Sequence, residues 1–176
     1  MKRTYELGRL AGLRLTVTPS AIAGSALLWA LLSGVAAARL DVPPAPAIIG
    51  GLIAVLLHWA SEMFHHLGHA WAARTAGHPM IGVRLWWLLG MSIYPCDEGP
   101  LPAAVHIRRA LGGPALSLLL TVVAAAIAMA LRPTDGAAWW VALFFCLDNL
   151  LVFTLGAFLP LGFTDGSTLL HWWGRR

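Results

Sequence analysis

The segment His58-Trp59-Ala60-Ser61-Glu62-Met63-Phe64-His65-His66-Leu67-Gly68-His69-Ala70 holds four histidines and a glutamate among mostly apolar neighbours. On an α-helix turning about 100° per residue, with His65 at zero, His58 falls near about 20°, His69 near about 40°, Glu62 near about 60° and His66 near about 100°. All five side chains therefore project into one sector. A single histidine on an apolar helix is usually a packing residue, but a whole polar stripe needs a partner, a cavity or a bound ion. His65 and His69 are four apart, so both rings can meet at one zinc ion. Catalytic zinc takes three protein ligands and leaves a position for water, so a third ligand must come from elsewhere. Asp165, in Leu159-Pro160-Leu161-Gly162-Phe163-Thr164-Asp165-Gly166, is the candidate; a plain Asp-Gly turn is its other reading. Glu62 and His66 remain on the same face as candidate acid–base groups.

The elements that would position these residues are membrane spans. The chain is 59% hydrophobic and 11% charged, against about 25% charged for a soluble domain. Crossing the hydrocarbon core takes about 20 apolar residues. Residues 21–38, 47–73, 110–131 and 137–160 each fit, the second carrying the histidine stripe and the fourth Asp148 and Asn149. Pro43, Pro44 and Pro46 punctuate the first connection, and Arg132, Pro133, Thr134, Asp135 and Gly136 make a turn before the fourth span. The nine tryptophans include the pairs Trp86–Trp87, Trp139–Trp140 and Trp172–Trp173 at the edges of apolar runs, where aromatic residues anchor spans at the interface.

Positive charge orients the bundle. Lys2, Arg3, Arg9 and Arg14 precede the first span, Arg74, Arg84, Arg108 and Arg109 lie between the second and third, and Arg175 and Arg176 end the chain. The other two connections offer only Arg39 and Arg132. Both termini are therefore expected to be cytoplasmic, and spans two and four end on that side, which brings His69 and Asp165 to one face. The net charge of +4 is spread between spans, a pattern of topology rather than nucleic-acid binding.

Outside the spans, residues 13–20 alternate like a short strand. Residues 80–102 read as a hairpin or re-entrant loop at the membrane face, with Cys96-Asp97-Glu98 an exposed polar turn. Residues 169–176 read as a short amphipathic helix. Cys96 and Cys146 form no paired motif. His78, His106 and His171 look like interfacial packing, while His58, Glu62 and Asp148 line a water path or pair within the bundle.

With these pieces in order, the chain resembles the site-2 protease family of intramembrane zinc metalloproteases. His65-His66-Leu67-Gly68-His69-Ala70-Trp71-Ala72-Ala73-Arg74 stands where that family has a HELGHAxAAR helix. Gly112-Gly113-Pro114-Ala115-Leu116-Ser117 matches its Gly-Pro, and Leu159 to Gly166 its LPxxxxDG segment. The early strand ending in Pro19-Ser20 fits the start of its first helix. The resemblance covers nearly the whole chain and implies an all-α polytopic bundle of about four transmembrane helices, with a short N-terminal strand and a membrane-associated hairpin. Residues 1–176 would form a single core domain with no separate regulatory domain. The resemblance makes His65, His69 and Asp165 ligands of Zn2+ and puts Ser117 and Asn149 on the substrate path. The reaction implied is hydrolysis of a peptide bond in a transmembrane segment of another membrane protein, within the lipid bilayer.

One departure bears on chemistry. The family's catalytic glutamate position holds His66 here, and Ser117, Ala157 and Ser167 replace residues that are often Asn, Asn and Gly. Glu62 can serve as a displaced base, or His66 as a base or fourth ligand. Alternatively the chain is a pseudoprotease that holds metal and membrane-protein segments without cutting. A histidine-lined transporter subunit is the rival from another class, but it would spread polar residues over several spans.

Overall fold

The computed structural model describes residues 3–39, 43–134 and 136–175. Lys2, Asp135 and Arg176 lie outside them. Helix α1 (Pro19–Arg39) and helix α2 (Pro44–Thr75) are followed, after a hairpin, by α3 (Ala103–Leu131). A 3-10 turn (Arg132–Thr134) leads to α4 (Ala137–Asp148), which continues as a π-helix (Asn149–Leu155) and a 3-10 turn (Gly156–Phe158) before α5 (Asp165–Trp172).

Among the described residues, four helical stretches are long and apolar enough to cross a membrane, with mean hydropathies of 1.8, 1.7, 2.3 and 2.0 in chain order. Their burial is the reverse of a soluble protein. Leu27 is 66% and Met129 75% exposed, whereas Ser61, Ser117 and Asn149 are fully buried. Apolar side chains thus cover the outside, where lipid is an equally good solvent, and polar ones face each other inside.

Four strands form one small sheet in the order β1 (Tyr5–Leu10), β2 (Leu13–Val17), β3 (Gly82–Trp86), β4 (Leu89–Ile93). The outer pairs are antiparallel hairpins, and β2 runs parallel to β3 with Leu15 opposite Val83. Ala11 and Gly12 join β1 to β2 at φ 50° and 84°, the positive values a two-residue hairpin loop favours. Leu13, Val83 and Leu85 point under the sheet onto Ala21, Ala73 and Met80. The tip of the second hairpin presses on α1, where a Cβ at Gly24 would run into the Trp87 backbone.

Several boundaries differ from the sequence expectation. The third span begins at Ala103 rather than 110, because Arg108 and Arg109 depress hydropathy without breaking the helix. Arg109 is buried and its charge is met by Glu98, at 2.5 and 3.0 Å. The segment containing Glu98 is therefore not an idle exposed turn. The C-terminal helix begins at Asp165 rather than 169, since Thr164 and Ser167 bond to each other and to the preceding loop. Asp165 is consequently the first residue of a helix, not part of an open turn. The sheet that joins the two hairpins was not foreseen; its partners lie 67 residues apart, as in the Thr18 to Leu85 bond.

Candidate metal centre

Helix α2 and helix α3 cross closely because each has glycine at the contact: a Cβ at Gly68 would meet the Gly112 backbone, and the reverse. Small residues at such a crossing let backbones approach in a membrane. The approach sets the two metal-spaced histidines against α3. His69 Nδ1 donates to the Arg109 carbonyl at 2.7 Å, and His65 Nδ1 meets Ser117 Oγ at 3.0 Å. The Nε2 atoms of both rings are thereby turned to one point. A partner on the other ring nitrogen fixes which nitrogen is offered to a metal.

Asp165 completes the point from α5. Its Oδ2 lies 3.3 Å from His65 Nε2 and 3.4 Å from His69 Nε2, and the two Nε2 atoms are 3.0 Å apart. Ligand atoms at about 2.0–2.1 Å from a tetrahedral zinc stand about 3.3 Å from one another. Two imidazole nitrogens and a carboxylate oxygen, all within 4.8 Å of one another, form a donor set that could hold a metal ion. Glycine at position 113 lets the ring tips lie against α3: a Cβ there would collide with Nε2 of both histidines. Burial alone would push the Asp165 carboxyl up, but the adjacent His69 and His65 outweigh it and hold the group at about 2, so it stays an anionic donor. The donor set and the room between the donors both fit zinc.

The rest of the stripe divides into separate pairs. Glu62 Oε1 accepts from His66 Nε2 at 3.0 Å and from the Gly90 backbone N–H. His66 Nδ1 meets Ser92 Oγ at 3.1 Å. Neither Glu62 nor His66 joins the ligand trio, so His66 is not placed as a fourth ligand. The two line the same cavity as the trio, of about 610 Å³, together with Gly90, Tyr94, Phe153 and Thr168. His58 sits deeper, with Nδ1 3.1 Å from Asp148 Oδ1 and Nε2 2.8 Å from the Leu88 carbonyl.

Ser117 and Asn149 do not line that cavity. Both are fully buried; Ser117 holds His65, and Asn149 Nδ2 donates to Ser61 Oγ and the Phe145 carbonyl, each at 2.9 Å. Ser117 thereby braces the His65 ring. His106 stacks on Trp172 at 4.2 Å, which ties α5, and so Asp165, to α3. Gly90, Ser92, Arg109 and Glu98 were not singled out from sequence. Arg109 and Glu98 left only a trace, one as a charge next to an apolar span and the other within a polar turn.

No family model matches the chain. Over 97% of its length it is 32% identical to the protein named "Putative zinc metalloprotease Rip3" from each of two strains of Mycobacterium tuberculosis. The resemblance to zinc metalloproteases thus extends over nearly the whole chain. The chain is accordingly an integral membrane protein, and it spans 44% of the length of those relatives. The solved site-2 protease from Methanocaldococcus jannaschii superposes with a TM-score of 0.63 at 16% identity, covering 96% of this chain and 70% of that one. That likeness speaks for the fold alone. His66, which follows the first histidine of the trio, is bonded to Glu62 one turn earlier.

Proposed function

We propose that this chain is the core of a zinc-dependent intramembrane peptidase, in which the Glu62–His66 pair takes the place of the family's single glutamate. The observation that carries it is the triangle of His65 Nε2, His69 Nε2 and Asp165 Oδ2 opening on a cavity that Glu62 and His66 also line. Zinc held by those three residues supplies a Lewis acid that polarises a peptide carbonyl and makes water nucleophilic near neutral pH.

The chain's own groups supply the remainder. Glu62 and His66, bonded to each other, accept the proton of the attacking water and return it to the nitrogen of the leaving amine. A carboxylate on one ring nitrogen orients the imidazole ring. The Arg109 carbonyl and Ser117 keep the ligand rings from rotating. The substrate is a transmembrane segment of another membrane protein, locally unwound, because a helical carbonyl is occupied by its own i+4 N–H. The arginine distribution supports a cytoplasmic side for both termini and for the site's mouth.

The test is metal content and cleavage on the same purified protein. Stoichiometric zinc that is lost in His69→Ala or Asp165→Ala, with cleavage of a single-span membrane substrate by the wild type, is the expected result. Stoichiometric zinc with no cleavage of any such substrate would make the chain a pseudoprotease. No zinc at all would end the metal-centre reading.

A further inference from the structure

The Glu62–His66 pair is not held by α2 alone. Its two ends meet strand β4 two residues apart: the Gly90 N–H donates to Glu62 Oε1, and Ser92 Oγ meets His66 Nδ1 at 3.1 Å. Residues i and i+2 of a strand face the same side, so one face of β4 spans the pair from end to end. The fit leaves no slack, since a Cβ on Gly90 would collide with both His66 Nε2 and Glu62 Oε1. Because His66 Nε2 faces a carboxylate, that nitrogen carries the hydrogen, and the neutral ring presents a lone pair at Nδ1 to the Ser92 hydroxyl.

The hairpin that carries β4 is itself pinned in the bundle. His58 Nε2 bonds to the Leu88 carbonyl and Nδ1 to Asp148, so α2 and the fourth span both hold the β3–β4 turn. Two residues further on, Gly90 reaches Glu62. The hydrogen-bonded path therefore runs from Asp148 through His58 to Leu88, and from Gly90 through Glu62 and His66 to Ser92.

We propose that Ser92 and Gly90 of β4 are positioning residues for the Glu62–His66 pair, so that the hairpin is part of the acid–base machinery of this chain. The inference rests on the function proposed above and adds the source of the pair's orientation. An imidazole whose carboxylate partner lies one turn away has two side-chain rotamers to fix. Strand β4 fixes both.

The decisive experiment is a double-substitution cycle on the zinc-loaded protein, reading kcat and KM for one membrane substrate. Ser92→Ala is expected to lower kcat by about 10–100-fold, the usual effect of removing an outer hydrogen-bond partner, with KM and zinc content unchanged. Ser92→Thr, which keeps the hydroxyl, is expected to restore the greater part of that loss. In a Glu62→Gln background Ser92→Ala is expected to cost little more, since residues acting as a unit are not additive. Gly90→Ala is expected to lower kcat with zinc retained. Equal loss from Ser92→Ala in both backgrounds, or no loss at all, overturns the positioning role while leaving the peptidase reading intact. A wild type that binds zinc and turns nothing over overturns both.

Discussion

Glu62 Oε1 and His66 Nε2 are hydrogen-bonded across one turn of α2 at 3.0 Å. From sequence, Glu62 and His66 were alternative bases. In the structure they are hydrogen-bonded to each other. Glu62→Gln and His66→Ala are each expected to reduce kcat by about 10²–10⁴-fold, and the double variant by little more than the worse single one. Turnover measurements on the three variants check this; multiplicative losses would show two independent groups.

The family's usual arrangement should be recoverable. His66→Glu alone puts two carboxylates at i and i+4, where like charges repel. Combined with Glu62→Gln it leaves one carboxylate at the family position and an amide that can donate to it. His66→Glu with Glu62→Gln is expected to regain turnover lost in Glu62→Gln alone. A double variant as inactive as Glu62→Gln would mean that β4 cannot accommodate the shorter path to the water.

Zinc retention should separate ligands from their supports. His65→Ala, His69→Ala and Asp165→Ala each remove an atom of the triangle and are expected to abolish stoichiometric zinc. Ser117→Ala removes only the partner of His65 Nδ1 and is expected to weaken zinc by about 10–100-fold. Titration with a competing chelator measures the difference. Ser117→Ala with wild-type affinity would show that the α2–α3 packing alone orients the ring.

Much of this was legible in the sequence, and the limits have physical causes. The stripe on α2 shows because a helix repeats every 3.6 residues and its apolar background is uniform. Asp165 could be set beside His69 because an even number of crossings returns the chain to one face. The bond between Gly90 and Glu62 left no trace, since a backbone donor has no residue type. The ion pair of Arg109 and Glu98 joins a helix to a loop with no periodic relation between them. The π-helix at Asn149–Leu155 is invisible in a run of apolar residues, although such turns often mark functional sites.

That ion pair makes stability depend on pH. Hydrogen bonds from Arg109 hold the Glu98 carboxyl below its ordinary 4.5. A carboxylate with a depressed folded pKa adds stability that is complete above the unfolded value and is lost as pH falls through the folded one. The wild type is therefore expected to melt above Glu98→Gln at pH 7, and the gap to close as pH drops below 4.5. Thermal unfolding of both proteins in the same detergent across that range tests the sign. A gap that stays constant would mean that Glu98 contributes through shape rather than charge.

The glycines offer a last discrimination between packing and metal binding. A Cβ on Gly34 or Gly50 meets nothing within 4 Å, and alanine favours a helix over glycine by about 1 kcal/mol. Gly34→Ala and Gly50→Ala are expected to keep zinc and to hold or raise the melting temperature. Gly113→Ala brings its methyl against Nε2 of both His65 and His69, in the space where the ligand atoms converge. It is expected to lose zinc while the bundle still forms, because the clash falls on two ring tips and not on backbone. Gly68→Ala differs again, since its clash is with the Gly112 backbone; it should part α2 from α3 and lower the melting temperature as well. Metal content and melting temperature measured together distinguish the three outcomes. Gly113→Ala with full zinc would mean that the rings can retreat from α3 and still bind, which the short bond from His69 to the Arg109 carbonyl argues against.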